Sequence, residues 1–143
     1  MAGNKSRNKG QTGEREIIRL LSPIIKEVYE KYSTGQIPML ERNQNQSNLG
    51  GYDIVGIDWL ALEIKRQETL QLNAWWQQTL KQAKPYQTPV LIYRQNNKPW
   101  AVMLELEIDI GYRVLAQISF ADFTKWFKLK LTARLISAVP TPC

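Results

Sequence analysis

Asp53, Glu63 and Lys65 are the residues of this chain whose types and spacing could do chemistry. They lie in the stretch Asp53 to Arg66, DIVGIDWLALEIKR, which reads as two short strands joined by a tight Gly56-Ile57-Asp58 turn. Side chains alternate along a strand, so Glu63 and Lys65 share a face, roughly 7 Å apart, and the hairpin brings Asp53 alongside them. Two carboxylates and an ammonium on one sheet face suit a divalent cation and an activated water better than they suit a core. Mg²⁺ takes hard oxygen ligands in near-octahedral geometry and keeps several waters. Asp53, Glu63 and the backbone carbonyl of Ile64 could supply three such oxygens. Lys65 could orient the attacking water, lower its pKa or neutralise charge developing on a phosphate oxygen. The chemistry this pattern fits is metal-assisted phosphodiester hydrolysis. Glu-x-Lys by itself is a weak pattern, since an exposed pair of this kind is worth about 0–1 kcal/mol and has no further role; its position behind Asp53 is what strengthens it.

Composition removes most rival chemistries. The 143 residues contain no histidine, which excludes Ser-His-Asp and Cys-His catalysis and zinc sites built on imidazole. Nineteen Lys and Arg against 13 Asp and Glu give a net charge of +6, which favours a polyanionic partner, nucleic acid first, or else a basic surface kept for solubility. The single cysteine, Cys143, rules out an internal disulfide and fits a reducing cytoplasm. No apolar run approaches the roughly 20 residues of a membrane span, and the basic N-terminus lacks the apolar stretch of a secretory signal. A cytoplasmic protein with no membrane partner is expected.

The elements that must position these residues follow from periodicity and punctuation. Residues 1–12 read as a flexible basic arm, with Lys5, Arg7 and Lys9 available for phosphates. Thr12 or Gly13 starts a helix that runs to Tyr32 or Ser33, with Ile18, Leu21, Ile25, Val28 and Tyr32 as its apolar stripe and Glu16 on the opposite side. Glu14 falls within that stripe. Either it bends to water from a fraying first turn, or it aims at the same centre as Asp53 and Glu63, since a carboxylate on a buried face needs a partner.

Residues 36–44 form a strand with Arg42 near its end, and 43–51 form a polar turn region. In the second hairpin strand Leu60, Leu62 and Ile64 face the core, while Trp59, Ala61, Glu63 and Lys65 form the candidate site face. A helix over Leu72–Ala83, with Leu72, Trp76, Thr79, Leu80 and Ala83 inward, is ended by Pro85. Val90–Tyr93 reads as a strand covered on both faces. Residues 100–104 and 112–118 are further strands, with an acidic loop at 105–111 between them. Ser119 caps a last helix, with Asp122 in the capping-box position, and residues 138–143 form a disordered tail. Trp75, Trp76, Trp100 and Trp126 could be base-stacking platforms; Trp76 and Trp126 fall on apolar stripes and are expected in the core. The expected architecture is one α/β domain over 1–143, a central mixed β-sheet flanked by helices.

With these residues in view, the chain resembles the archaeal-type Holliday junction resolvases of the PD-(D/E)xK nuclease superfamily. Lys9-Gly10-Gln11-Thr12-Gly13-Glu14-Arg15-Glu16 is similar to the opening of that family, in which an Arg on the next strand precedes an Asp, and a Glu-x-Lys follows. The matching positions are Glu14, Arg15, Arg42, Asp53, Glu63 and Lys65, within a resemblance over roughly residues 9–93. Trp75-Trp76-Gln77-Gln78 and Pro89–Arg94 resemble its bacteriophage branch. Tyr52 stands where the family has Pro, and the Asn- and Gln-rich loop at 43–48 is longer.

The resemblance implies a restriction-endonuclease-like nuclease core and a homodimer that cuts opposed strands of a four-way junction or other branched DNA with Mg²⁺ or Mn²⁺. The dimer interface could absorb Trp75. It places Glu14, Asp53 and Glu63, with the Ile64 carbonyl, at the metal and Lys65 at the water. Arg15, Arg42 and Arg66 would hold phosphates, and Lys5, Arg7 and Lys9 would reach along the DNA. Gln78, or equally Gln77, would position water or backbone from the second helix. For a phage-encoded protein, the expected compartment is the host cytoplasm.

Overall fold

The computed structural model describes residues 2–44 and 52–138, with side chains from Thr12 onward. The long apolar-periodic stretch forms α1 (Ala2–Tyr32). Its inward stripe is Ile17, Leu21, Ile25 and Val28, each at most 1% exposed. Ile18 and Tyr32, which periodicity places in the stripe, are partly buried at its margin. The helix begins at Ala2 rather than at Thr12 or Gly13, so the stretch expected as a flexible arm is helical from Ala2 on. Such a polar, glycine-containing sequence nucleates a helix poorly, but extending an existing helix adds a hydrogen bond for each residue fixed. The tail expected from 138 onward lies outside the described residues except for Ala138, as does most of the long polar loop.

The strands are β1 (Glu41–Arg42), β2 (Ile54–Val55), β3 (Leu60–Arg66), β4 (Thr88–Arg94), β5 (Ala101–Asp109) and β6 (Tyr112–Ser119). They form one sheet in chain order. Only β3 and β4 are parallel, joined by α2 (Leu72–Gln82); every other neighbouring pair is antiparallel. A parallel pair needs such a crossover because its strands begin at the same end. The last helix, α3 (Phe120–Ala138), follows Ser119, whose Oγ accepts the Asp122 N–H at 3.0 Å as expected of a cap. Among the described residues this is a mixed six-stranded sheet flanked by three helices.

Leu60, Leu62 and Ile64 join Val90, Ile92, Val102 and Leu104 beneath α1 and α3, while Leu91 and Tyr93 face Trp75 and Trp76 of α2. Several local readings need correction. Trp75 is as buried as Trp76 and sits 6.4 Å from the Tyr93 ring, so it is core rather than a stacking platform; Leu80, placed inward by periodicity, is exposed. Trp100 is likewise buried. The expected acidic loop at 105–111 is instead the far end of β5 and the turn into β6, with Gly111 at φ +77°. Leu104 and Leu106 turn inward while Glu105 and Glu107 face solvent, so acidic residues here mark an outer face. The strand expected over 36–44 is only the pair Glu41–Arg42.

The β2–β3 turn depends on Gly56. Its φ is +131°, and an added Cβ would come within 2.3 Å of the Met39 carbonyl oxygen. Gly56→Ala is therefore expected to cost about 2 kcal/mol or more, seen as a lower urea midpoint.

Candidate active site

The short β2 beside the long β3 creates the site. Ile54 pairs with Leu62, and Asp53 continues the ladder by donating its N–H to the Leu62 carbonyl at 2.8 Å. One step further on, the Asp53 side chain takes the place of a strand, its Oδ2 accepting the Ile64 N–H at 2.8 Å. Asn43 N–H donates to the Asp53 carbonyl at 2.8 Å, and the Asn43 Nδ2 donates to the Tyr52 carbonyl at 2.9 Å. Asp53 is thus fixed from both neighbouring strands. Because N–H and C=O of a strand residue point to the same edge, the Ile64 carbonyl also faces the Asp53 side.

Glu63 alternates to the α2 face, opposite Leu91, and is only 3% exposed. The face read as open is therefore mostly covered: Ala61 is buried too, and Trp59 turns away to pack 6.1 Å from Trp126 and 6.2 Å from Phe127. Burial pushes the Glu63 carboxyl up to about 9; the Asp53 charge pushes the same way, and Lys65 opposes it. The Lys65 Nζ lies 3.8 Å from Glu63 Oε1.

Glu14 reaches the centre from α1. It is half-buried, and its Oε2 accepts the Arg42 Nε–H at 2.7 Å. Its burial raises its pKa, Arg42 opposes, and the Asp53 charge raises it further. The three carboxylates therefore feel one another across α1, the β2 end and β3. Rather than in a fraying first turn, Glu14 sits well inside the helix, on its inward stripe three residues before Ile17.

Glu14, Arg42, Asp53, Glu63, Ile64 and Lys65 are brought together. Arg15 is exposed on α1 beside Glu14, and Arg66 is partly buried at the end of β3. Gln78 lies half-buried on α2, the helix that covers the Glu63 face, whereas Gln77 is exposed. The side chains of Lys5, Arg7 and Lys9 lie outside the described ones. Sequence reading missed the Glu14–Arg42 pair, whose members are 28 positions apart. It also placed Glu16 in solvent, where the structure sets its Oε1 3.5 Å from Arg94 Nη1.

Among the described residues no three His, Cys, Asp or Glu side chains form a ready-made metal cage. The donor set nevertheless fits a hard cation of the Mg²⁺ kind, which needs only one or two carboxylates and retains waters. Asp53 and Glu63 with the Ile64 carbonyl make that set, and a buried Glu63 carboxyl whose proton affinity is raised by burial and by the Asp53 charge is short of positive charge.

A mixed sheet with a parallel central pair, acidic residues where β2 gives out and Lys65 beyond them define a restriction-endonuclease-like fold. The chain matches the family described as "Phage putative PDDEXK endonuclease" over residues 5–134, and it belongs to that nuclease family. Its fold is similar to that of Hjc, a Holliday junction resolvase from the archaeal hyperthermophile Archaeoglobus fulgidus. That likeness has a TM-score of 0.50 at 14% identity and covers 82% of this chain and 96% of the other. No curated protein matches the sequence.

Proposed function

We propose that this protein is a metal-dependent endodeoxyribonuclease that resolves four-way DNA junctions by paired phosphodiester hydrolysis. The observation that carries the reading is the buried Asp53–Glu63 pair at the open edge of β3, with Lys65 beside it. Membership of a nuclease family and the fold shared with a junction resolvase support it.

Asp53, Glu63 and the Ile64 carbonyl would hold Mg²⁺ or Mn²⁺, with Glu14 at the edge of the set. Bound there, the ion would polarise the scissile phosphate and lower the pKa of a bound water. The Ile64 N–H keeps Asp53 in one orientation, so its oxygens are set before substrate arrives. Lys65 holds the attacking water and offsets charge developing on the phosphate oxygen. Arg42 holds Glu14 through its Nε, and Arg15 meets phosphates from the exposed side of α1. Lys5, Arg7, Lys9, Arg66 and Gln78 extend the DNA contact. Opposed cuts require two such sites, so the active unit is a homodimer.

The deciding experiment compares a synthetic four-way junction with matched linear duplex and flap substrates, with and without Mg²⁺. Paired, metal-dependent cuts in the junction are expected. Equal cutting of the linear duplex would overturn junction selectivity and leave a general or repair nuclease. Salt-sensitive binding with no cutting in either metal would make the protein a DNA-binding module.

A further inference from the structure

Beyond the carboxylates, the ends of β3 and β4 and the residue before β5 carry three hydrogen-bond donors that meet no acceptor among the described residues. Among the described residues, Arg66 Nε, Arg94 Nε and Trp100 Nε1 are buried and find no hydrogen-bond partner. Arg66 and Arg94 are register partners at the last positions of the parallel pair. The Arg94 guanidinium lies 5.8 Å from the centre of the Trp100 ring. Gly13 of α1 closes the cluster: a Cβ there would meet Trp100 Cη2 at 3.2 Å and Arg66 Cβ at 3.8 Å, so a larger residue would have to push the indole back by a few tenths of an ångström.

Arg and Trp side chains donate and cannot accept. A buried donor left unsatisfied costs about 1–3 kcal/mol, and three together call for an acceptor beyond those the described residues supply. Glu16 stands 3.5 Å from Arg94 Nη1 and offsets one of the two guanidinium charges, leaving one positive charge in excess. The cluster sits at the carboxyl ends of parallel strands, where open α/β sheets take their ligands. It borders a cavity of about 640 Å³ lined in part by Arg94, Trp100, Ser119 and Phe120, so an acceptor has room to arrive.

We propose that Arg66, Arg94 and Trp100 form a phosphate subsite that holds the backbone phosphate next to the scissile one on the substrate strand. This rests on the nuclease reading above and adds to it two positioning residues, Arg94 and Trp100. Arg66 stands two residues beyond Ile64 on β3, about 6.6 Å along the strand. A phosphate held there lies beside the carboxylate centre rather than within it. The subsite fixes the register of the strand across Asp53 and Glu63.

The test is binding in EDTA, where cleavage plays no part. Junction DNA is made with a neutral methylphosphonate at each phosphate flanking the cut site in turn, and wild type is compared with Arg94→Gln and Trp100→Phe. At one position the methylphosphonate should weaken wild-type binding several-fold and leave Arg94→Gln unaffected, because the contact is already lost. Arg94→Gln should also lower the slope of log K against log salt by about one, and Arg94→Lys should restore it. Trp100→Phe keeps an aromatic ring at the position and removes the N–H, so it should show the same non-additivity with a smaller loss. The Trp100 indole N–H resonance should move on adding DNA and stay put with inorganic phosphate.

Additive penalties at every position would overturn the subsite, even in variants whose unfolding midpoints are normal. A resonance that responds equally to inorganic phosphate would make it a free-anion site and overturn the substrate-strand assignment. Wild type that binds no DNA at all would overturn the nuclease reading with it, whereas binding with additive penalties overturns the subsite alone.

Discussion

Asp53→Asn should reduce junction cleavage by at least about 10³-fold, equivalent to about 4 kcal/mol of transition-state stabilisation, while the protein still folds and binds DNA. The substitution keeps the shape of the side chain, and its amide oxygen can still accept the Ile64 N–H that Oδ2 accepts at 2.8 Å. The Asn43 and Leu62 backbone contacts of residue 53 are untouched. What disappears is the negative charge, and with it the anionic oxygen best placed to hold a cation at the edge of β3. Binding in EDTA should hold steady or tighten, since removing an anion from a basic protein cannot repel phosphate. Single-turnover cleavage and equilibrium binding on the same preparation separate the two effects. An Asp53→Asn protein that cuts at the wild-type rate would show that the chemistry lies elsewhere.

Metal-free wild-type protein should lose stability as pH rises from about 5 to about 9, and Glu63→Gln should abolish most of that loss. The Glu63 carboxyl titrates at about 9 in the folded chain, chiefly through burial and then the Asp53 charge, against an ordinary 4.5. Between those values the folded state binds the proton and the unfolded state does not. Its contribution is therefore fully present below the lower value and is lost as pH climbs through the higher one. The slope this one group can impose is up to about 1.4 kcal/mol per pH unit. Gln keeps the neutral, hydrogen-bonding character of the protonated acid, so the variant should match wild type near pH 5 and exceed it in the alkaline range. Urea unfolding in EDTA across that range measures both curves, and parallel curves would refute the assignment. Mg²⁺ should reverse the slope, since a ligand that prefers the carboxylate displaces its proton. Proton release on adding the ion, read by calorimetry in buffers of different ionisation heat, checks that directly.

The same residues show where the sequence was legible. Val90–Tyr93 declared a strand covered on both faces because four apolar residues in a row leave no polar side to expose. Ser119 announced its helix because capping is a local event. Residues 105–111 misled for the opposite reason: their acidic side chains alternate with Leu106, Ile108 and Ile110, and charge density hid a strand whose outer face is wet. The stripe of the first helix is legible at Leu21, Ile25 and Val28, but at its start Ile17 rather than Ile18 is the buried residue, because both are isoleucine and only contact with the sheet chooses between them. Trp75 and Trp76 posed the same problem, and the pocket beneath α2 took both.

For the site, residue type and spacing alone determined that carboxylates and a lysine would share one strand end, since two-residue alternation fixes Glu63 and Lys65 on one face and the absence of histidine leaves no other catalyst. Tertiary structure decided the rest. Only the premature end of β2 puts the Asp53 side chain on the Ile64 N–H, and only packing of α1 on the sheet gives Glu14 to Arg42. Only α2 covers Glu63 deeply enough to raise its pKa. The same holds for Arg66, Arg94 and Trp100, whose unmet donors exist because parallel pairing ends two strands together and Gly13 lets a helix close over them. Alternation is a property of a few bonds and can be read along the chain; burial and proton affinity depend on neighbours that the chain reaches only by folding.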